Sequence, residues 1–337
     1  MNKRVRTRLA GLLPDPIVFC DVGARWGLEE PWKSVEELVQ AISFEPDPEE
    51  FENLLRKKRD NDTIFKNALF DCEGEIRLYL TRAPGCSSVF RPNTSFLEQF
   101  PEAKRYEVVD EQIVSAVTLD SVVSQNAIRD IDFLKIDVQG AELAVLNGAT
   151  KTLDQHIFGV HVEVEFHEIY LGQPLFPEIH SCLQKNHDLS LYDLRKSYWK
   201  YREGKGNGPN KGQLIFADAL YLRSPEALID WVTDQSPVRR RGKLLKAAIV
   251  GIFFGVTDYS HKVLALGSEA NIISQEQQIA MQSIIRDVNR CVRYRGRGRL
   301  FLEKIASLIF GVVQGDHNGW ATGERHLGSR KTFGIFH

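Results

Sequence analysis

The apolar run Ile17-Val18-Phe19-Cys20 leads into Asp21-Val22-Gly23-Ala24-Arg25-Trp26-Gly27, and a second run closes on Ile42-Ser43-Phe44-Glu45-Pro46. Short apolar runs halted by an acid and a glycine read as buried strands. The glycines of the first turn let backbone come close to a ligand. The carboxylate of Glu45, 24 positions after Asp21, ends the second strand where ribose hydroxyls are taken. An open α/β sheet holding an adenosine-containing ligand at its strand ends follows from this unit.

The turn also says which ligand. A dinucleotide fold uses G-x-G-x-x-G after its first strand, whereas this chain has Gly23 and Gly27 separated by three residues and preceded by an acid. Asp21 would repel a pyrophosphate but can accept from an ammonium group. The missing third glycine disfavours a nicotinamide-dependent oxidoreductase, and no GxxxxGK[ST] is present for a nucleoside triphosphate. S-adenosylmethionine fits these charges, with its ammonium and sulfonium near carboxylates and its ribose diol on Glu45. The bland alternative is a strand-ending turn with no ligand, and the second carboxylate argues against it.

Further along, Thr63 to Ala68, Glu75 to Leu80, Tyr106 to Thr118, Ile131 to Asp137, Phe158 to Val164, Asp188 to Asp193 and Gln213 to Leu222 have strand character. Helices are predicted over 31–40, after Asp47-Pro48-Glu49-Glu50, and after Gly140. Strands alternating with helices at this spacing predict a mostly parallel, doubly wound sheet.

The net charge of -2 hides a split: residues 236–337 hold 16 Lys and Arg against 7 acids, and the rest of the chain 27 against 38. We read 1–235 as one domain and 236–337 as a basic, mainly helical extension. Its arginines, Arg239 to Arg241 and Arg286 to Arg299, flank the apolar segments Ala248 to Val256 and Ser307 to Val313. Such a pattern suits packing on the main domain, or peripheral contact with anionic lipid. Arginine clusters also attract nucleic acid, but the main domain is acidic and no nucleic-acid motif is present. The longest apolar run, Ala247 to Val256, is about half the ~20 residues of a membrane span, and a cytoplasmic protein is expected. The five scattered cysteines form no CxxC pair, so neither a disulfide framework nor a zinc site is expected.

Asp21-Val22-Gly23-Ala24, Phe44-Glu45-Pro46, Ser87-Ser88-Val89, Thr118-Leu119-Asp120-Ser121, Leu134-Lys135-Ile136-Asp137-Val138-Gln139-Gly140-Ala141-Glu142 and Leu146-Asn147-Gly148-Ala149 occur in this order. Together they resemble the FkbM-type S-adenosylmethionine-dependent methyltransferases over about residues 17–223. The resemblance implies the seven-stranded Rossmann-like sheet with one antiparallel strand. It also implies methylation of a hydroxyl, on a sugar of a glycan or glycolipid or on a polyketide-like natural product. The chain departs from the family in having Arg25 where Asn is usual and Gln139 where Glu is usual.

By that resemblance Asp21, Gly23 and Gly27 line the methionine half of the cofactor and Glu45 takes the ribose. Asn67 is placed to address adenine, and Ser88 to contact cofactor or substrate. Trp26 is placed to pack over the cofactor or its loop. Asp137 ends the fourth core strand, where ligand sites of such sheets lie. Alternation puts His161, Glu163 and Glu165 on one face of the next strand, with His167 in the loop beyond. Asp137 or Glu163 is expected to orient the hydroxyl, and His167 to serve as base, imidazole being matched to proton removal near neutral pH. These three side chains would also suit a divalent metal, although no spacing demands one. Gln139 is neutral and a poor base, and Glu142 reads as a helix-dipole acid. Ser197 to Tyr201 is aromatic and polar, which suits a sugar ring or an ordinary hairpin edge. A non-catalytic cofactor-binding scaffold with a basic interaction tail is the alternative from another class.

Overall fold

The computed structural model describes residues 3–126, 128, 130–204, 211–290, 320–324 and 327. In chain order come helix α1 (Lys3–Ala10), strand β1 (Ile17–Val22), β2 (Val39–Phe44), α2 (Pro48–Lys57), β3 (Thr63–Phe65), β4 (Ala68–Leu69) and β5 (Gly74–Thr81). Next are α3 (Thr94–Leu97), β6 (Val108–Val117), α4 (Leu119–Gln125), β7 (Phe133–Ile136), α5 (Glu142–Asn147), α6 (Thr150–Gln155), β8 (Gly159–Glu165) and α7 (Phe176–Ser181). The chain then forms β9 (Ser190–Trp199), β10 (Gln213–Leu222), α8 (Pro225–Thr233), α9 (Pro237–Phe253), α10 (Thr257–Glu269), α11 (Gln275–Arg290) and β11 (Ala321–Gly323). The helix predicted over 31–40 is a shorter 3-10 turn, Lys33–Leu38, that runs directly into β2.

The main sheet has the order β11-β9-β10-β8-β7-β1-β2-β3. Strands β3, β2, β1, β7 and β8 are parallel, and β10 inserts antiparallel between β8 and β9. Seven strands therefore make the Rossmann-like sheet that the resemblance implies, and the three-residue β11 adds an eighth at the edge beside β9. Glu75 to Leu80 and Tyr106 to Thr118 do not join it. They fall in β5 and β6, which pair antiparallel in a separate three-stranded sheet with β4.

Period-two alternation sorts the strand residues between two cores. Cys20, Val22, Leu134, Ile136, Val160 and Val162 pack on one face with α4, α5 and α6. Phe19, Phe133, Phe158 and Leu222 pack on the other with α1, α8, α9 and α10. Trp32 stacks on Phe19 there, ring centroids 4.4 Å apart.

Helix α9 begins at Ser236-Pro237, with Pro at its first turn. Every residue from Gly242 to Phe253 is buried, because α9 packs against α8 and α10 and shares one core with Phe19, Phe133 and Phe158 of the sheet region. The apolar run that could have lain against lipid is thus covered within the chain. Among the described residues no helix is long and apolar enough to cross a membrane. Arg293 to Arg299 and the second apolar segment, Ser307 to Val313, lie outside the described residues.

Two lysines one turn apart on α9 reach the amino end of β7. Lys243 Nζ donates to Asp132 Oδ1 at 2.8 Å and to the carbonyl of Ile131 at 2.9 Å. Lys246 Nζ donates to Asp132 Oδ2 at 2.8 Å and also pairs with Asp15. Asp132 Oδ2 further accepts from the Val18 amide at 2.8 Å. This fully buried carboxylate ties β1, β7 and α9 together at the amino ends of the central strands, opposite the candidate site.

Candidate active site

A cleft opens at the carboxyl ends of β1, β2 and β7, its lining including Gly23, Arg25, Trp26, Glu45, Asn67, Asp137 and Gln139. The turns after β1 and β7 meet at its floor. Gly23 has φ +81°, and a Cβ there would lie 2.0 Å from the carbonyl oxygen of Asp137. Only glycine permits both the backbone angle and the approach, which is the physical reason for Gly23 in this turn. Gly148, at an ordinary helical angle, is required only by close approach, since a Cβ there would lie 2.0 Å from the carbonyl oxygen of Phe70.

Glu45 sits at the tip of β2, only 3% exposed, and its Oε1 accepts from the Asp47 amide at 2.9 Å. Burial lifts its carboxyl to about 7, against the lowering effects of that hydrogen bond and of the Arg25 charge. A carboxylate accepting from a ribose diol must be ionised. Binding through Glu45 should therefore weaken as pH falls through 7, approaching about tenfold per pH unit below it. Titrating S-adenosylhomocysteine by calorimetry between pH 8 and pH 6 checks this. The slope should vanish in Glu45→Gln, and a flat wild-type profile would exclude the role.

Asp137 follows β7 and belongs to a tight polar network. Gln139 Nε2 donates to Asp137 Oδ1 at 2.9 Å and to Glu163 Oε1 at 2.8 Å. The Tyr170 hydroxyl lies 2.9 Å from both Gln139 Oε1 and the Cys86 carbonyl, two acceptors that share its single hydrogen. Gln139 itself is left-handed, φ +58°, an uncommon state outside glycine, and Ser88 Oγ grips its carbonyl at 2.6 Å. Glu142 Oε1 and Oε2 accept from the amides of Val138 and Gly140 at 3.0 and 2.9 Å, so this buried acid shapes the turn. Burial, reinforced by the charges of Asp137, Glu165 and Asp218, pushes the Glu163 carboxyl well up. The environment of Glu163 therefore favours its neutral form.

The predicted residues divide accordingly. Gly23, Glu45, Asn67 and Asp137 line the cleft. Asp21 does not: on β1 it shares a face with Phe19, and its Oδ1 meets Lys135 Nζ, 3.3 Å away on β7. Burial raises the Asp21 carboxyl, opposed by Lys135. Gly27 is likewise outside the lining and closes the turn through its amide to the Ala24 carbonyl at 2.8 Å. Ser88 is a buried clamp on Gln139 rather than a lining residue. Glu163 reaches Asp137 only through Gln139.

His167 is not joined to this network among the described contacts. Its Nε2 lies 2.9 Å from Gln213 Nε2, and its ring stacks on Phe96 at 5.4 Å. The loop after β8 carries it toward the start of β10 instead. Among the described residues no group of three or more His, Cys, Asp or Glu side chains is placed to hold a metal.

Gln139, Lys135 and Tyr170 are the residues that side-chain chemistry alone undervalues. The one signal for Gln139 is its departure from the family's usual Glu. A glutamate there would face two carboxyl groups and could donate to neither when ionised, whereas the amide donates to both.

The cleft's chemistry matches an adenosyl ligand bearing positive charge. Among the described residues its carboxylates are Glu45 and Asp137 and its one lining cation, Arg25, already pairs with Asp47, while Phe44, Leu69, Leu78 and Val89 supply apolar wall. Fold and cleft together define an S-adenosylmethionine-dependent methyltransferase. The Methyltransferase FkbM domain matches residues 21–189, half the chain, and the protein belongs to that family. The chain is 28% identical over 178 residues to the 2-O-methyltransferase NoeI of Sinorhizobium fredii (strain NBRC 101917 / NGR234), covering 50% of this chain and 72% of that one. Among solved structures it is similar to the precorrin-6y C5,15-methyltransferase of Geobacter metallireducens GS-15, with TM-score 0.32, 11% identity, and 66% and 90% of the two chains covered. Another is the magnesium protoporphyrin IX methyltransferase of Synechocystis PCC 6803 with bound SAM, at TM-score 0.33, 10% identity, and 66% and 79% covered.

Proposed function

We propose that the protein moves the methyl group of S-adenosylmethionine to a hydroxyl oxygen of a sugar, in a glycan or glycolipid, with the cofactor in the Gly23–Glu45–Asp137 cleft. The observation that carries this reading is Asp137, a carboxylate on the cleft wall whose Oδ1 is fixed by Gln139. Free hydroxyls are weak nucleophiles and need a positioned proton acceptor, which acceptors such as amines need less. The name of the relative from Sinorhizobium fredii, a 2-O-methyltransferase, points to the same chemistry.

When bound, S-adenosylmethionine supplies a methyl group already activated by its sulfonium. Glu45 would hold its ribose, Asn67 its adenine edge, and the apolar wall its ring. Asp137 accepts a hydrogen bond from the acceptor hydroxyl and takes its proton. With Oδ1 engaged by Gln139, Oδ2 is the oxygen left for that hydroxyl. Tyr170 holds the Gln139 amide in the orientation that donates to Asp137. Burial and neighbouring carboxylates disfavour a second charge on Glu163 beside the reacting oxygen.

For the acceptor, the edge formed by the ends of β8 and β9 and the start of β10 offers aromatic surface. Tyr201 stacks on Phe100 at 5.3 Å, is 44% exposed, and donates to Gln213 Oε1 at 2.5 Å. A partly exposed aromatic ring with polar neighbours suits the apolar face of a sugar. Trp199, in contrast, is buried beneath Phe100 and contributes packing.

The test supplies methyl-labelled S-adenosylmethionine with a panel of oligosaccharides and polyketides, and locates the label by nuclear magnetic resonance. Label on a sugar oxygen is expected. Label on nitrogen or carbon, or on polyketides alone, would overturn the sugar reading.

A further inference from the structure

Trp26 stands in the turn that follows β1, and 66% of it is exposed. Trp32 and Trp199, by contrast, are buried in cores. Burial is what stabilises an indole, so core packing does not account for Trp26. Its backbone is nevertheless held on both sides. Arg25 Nη2 donates to Asp47 Oδ2 at 2.8 Å. The Gly27 amide donates to the Ala24 carbonyl at 2.8 Å, with Gly27 at φ +78°. A fixed turn thus carries a ring that its own side-chain torsions can move.

The outer edge of that ring meets Gly85, in the 3-10 turn Pro84–Cys86 that follows β5. A Cβ at Gly85 would lie 3.0 Å from Trp26 Cη2 and 3.5 Å from Cζ2. Gly85 is not left-handed, so its missing side chain serves this approach rather than a backbone angle. Trp26 and Gly85 both line the cleft, and the contact joins two parts of its lining that are far apart in the chain. The Gly85 turn is braced as well: the Cys86 amide donates to the Ala83 carbonyl at 2.8 Å, and the Cys86 carbonyl lies 2.9 Å from the Tyr170 hydroxyl. One ring edge on one glycine is a small contact, and each atom pair in it is weak. Two braced turns joined by so small a contact form a closure that opens without either turn moving.

We propose that Trp26 is a latch on the cofactor cleft: its indole leaves Gly85 to admit S-adenosylmethionine and returns to it over the bound ligand. The inference rests on the proposed placement of the cofactor in this cleft. A latch limits entry and escape alike, whereas a fixed contact limits escape alone.

Surface plasmon resonance of S-adenosylhomocysteine on the immobilised full chain separates the two, with wild type, Trp26→Ala, Trp26→Phe and Glu45→Gln. The open form of a latch is a minor state, about 10% of the population or less. Trp26→Ala should therefore both bind and release the ligand about tenfold faster or more. Trp26→Phe keeps an aromatic ring but lacks the Cζ2–Cη2 edge, and should behave as Trp26→Ala does. Wild-type rates in either Trp26 variant, or faster release at an unchanged association rate, overturn the latch. Weaker binding in Glu45→Gln beside wild-type rates in both Trp26 variants removes the latch and leaves the cofactor placed. Wild-type binding in all three variants removes the placement, and the latch with it.

Discussion

Asp137→Asn should lower the turnover number about 10²–10⁴-fold, the range lost when a positioned general base is removed. Its affinity for S-adenosylhomocysteine should stay near that of wild type. The substitution is close to isosteric, and an Asn Oδ1 can still accept from Gln139 Nε2, so the network at 2.9 and 2.8 Å has no reason to collapse. What is lost is the capacity to take a proton. Glu163→Gln provides the contrast. Burial and the charge of Asp137 push that carboxyl well up, toward the neutral form that an amide imitates. Its turnover should therefore fall less than tenfold, the low end for a group outside proton transfer. Steady-state kinetics on both variants distinguishes the roles. Wild-type turnover in Asp137→Asn, or a larger loss in Glu163→Gln, would assign the base elsewhere.

The largest effect on stability should come from Asp132→Ala. This carboxylate is fully buried and accepts from Lys243, Lys246 and the Val18 amide at once. Its removal leaves two lysines, themselves 1% and 3% exposed, short of their shared counter-charge. Lys243 keeps the carbonyls of Ile131 and His156 and the carboxylate of Asp130 at 2.7 Å, which limits the damage without repairing it. Breaking a buried pair from one side costs about 3–5 kcal/mol, and the shift in denaturant midpoint at unchanged slope reports it. Replacing Asp132, Lys243 and Lys246 together by apolar residues should recover much of the loss. A shift below 1 kcal/mol in Asp132→Ala would show that the cluster is solvated like a surface pair.

The parallel core was legible because each strand is a short apolar run ended by an acid or glycine, and the helix starting at Pro48 because Asp47 caps it. The fate of particular side chains was not. Whether Asp21 faces the cleft or the sheet depends on its register against Lys135, more than a hundred positions away. Ser88 and Glu142 recur in the family's motifs, yet both serve to hold backbone, Ser88 at Gln139 and Glu142 at Val138 and Gly140. Motif residues that shape a turn and those that touch a ligand look alike in one dimension. His167 was attractive for its chemistry, but a loop histidine goes where its loop goes, here to Gln213. The partners of the helices beyond residue 236 were not legible, because Lys243 and Lys246 count as surface charge until Asp132 is seen opposite them.

The most direct test of the account is a crystal structure of the complex with S-adenosylhomocysteine. The ribose is predicted on Glu45, with the sulfur facing the Asp137 carboxylate beside Gln139. A ligand bound outside the Gly23–Glu45–Asp137 cleft, or with Asp137 turned away from the sulfur, would contradict it.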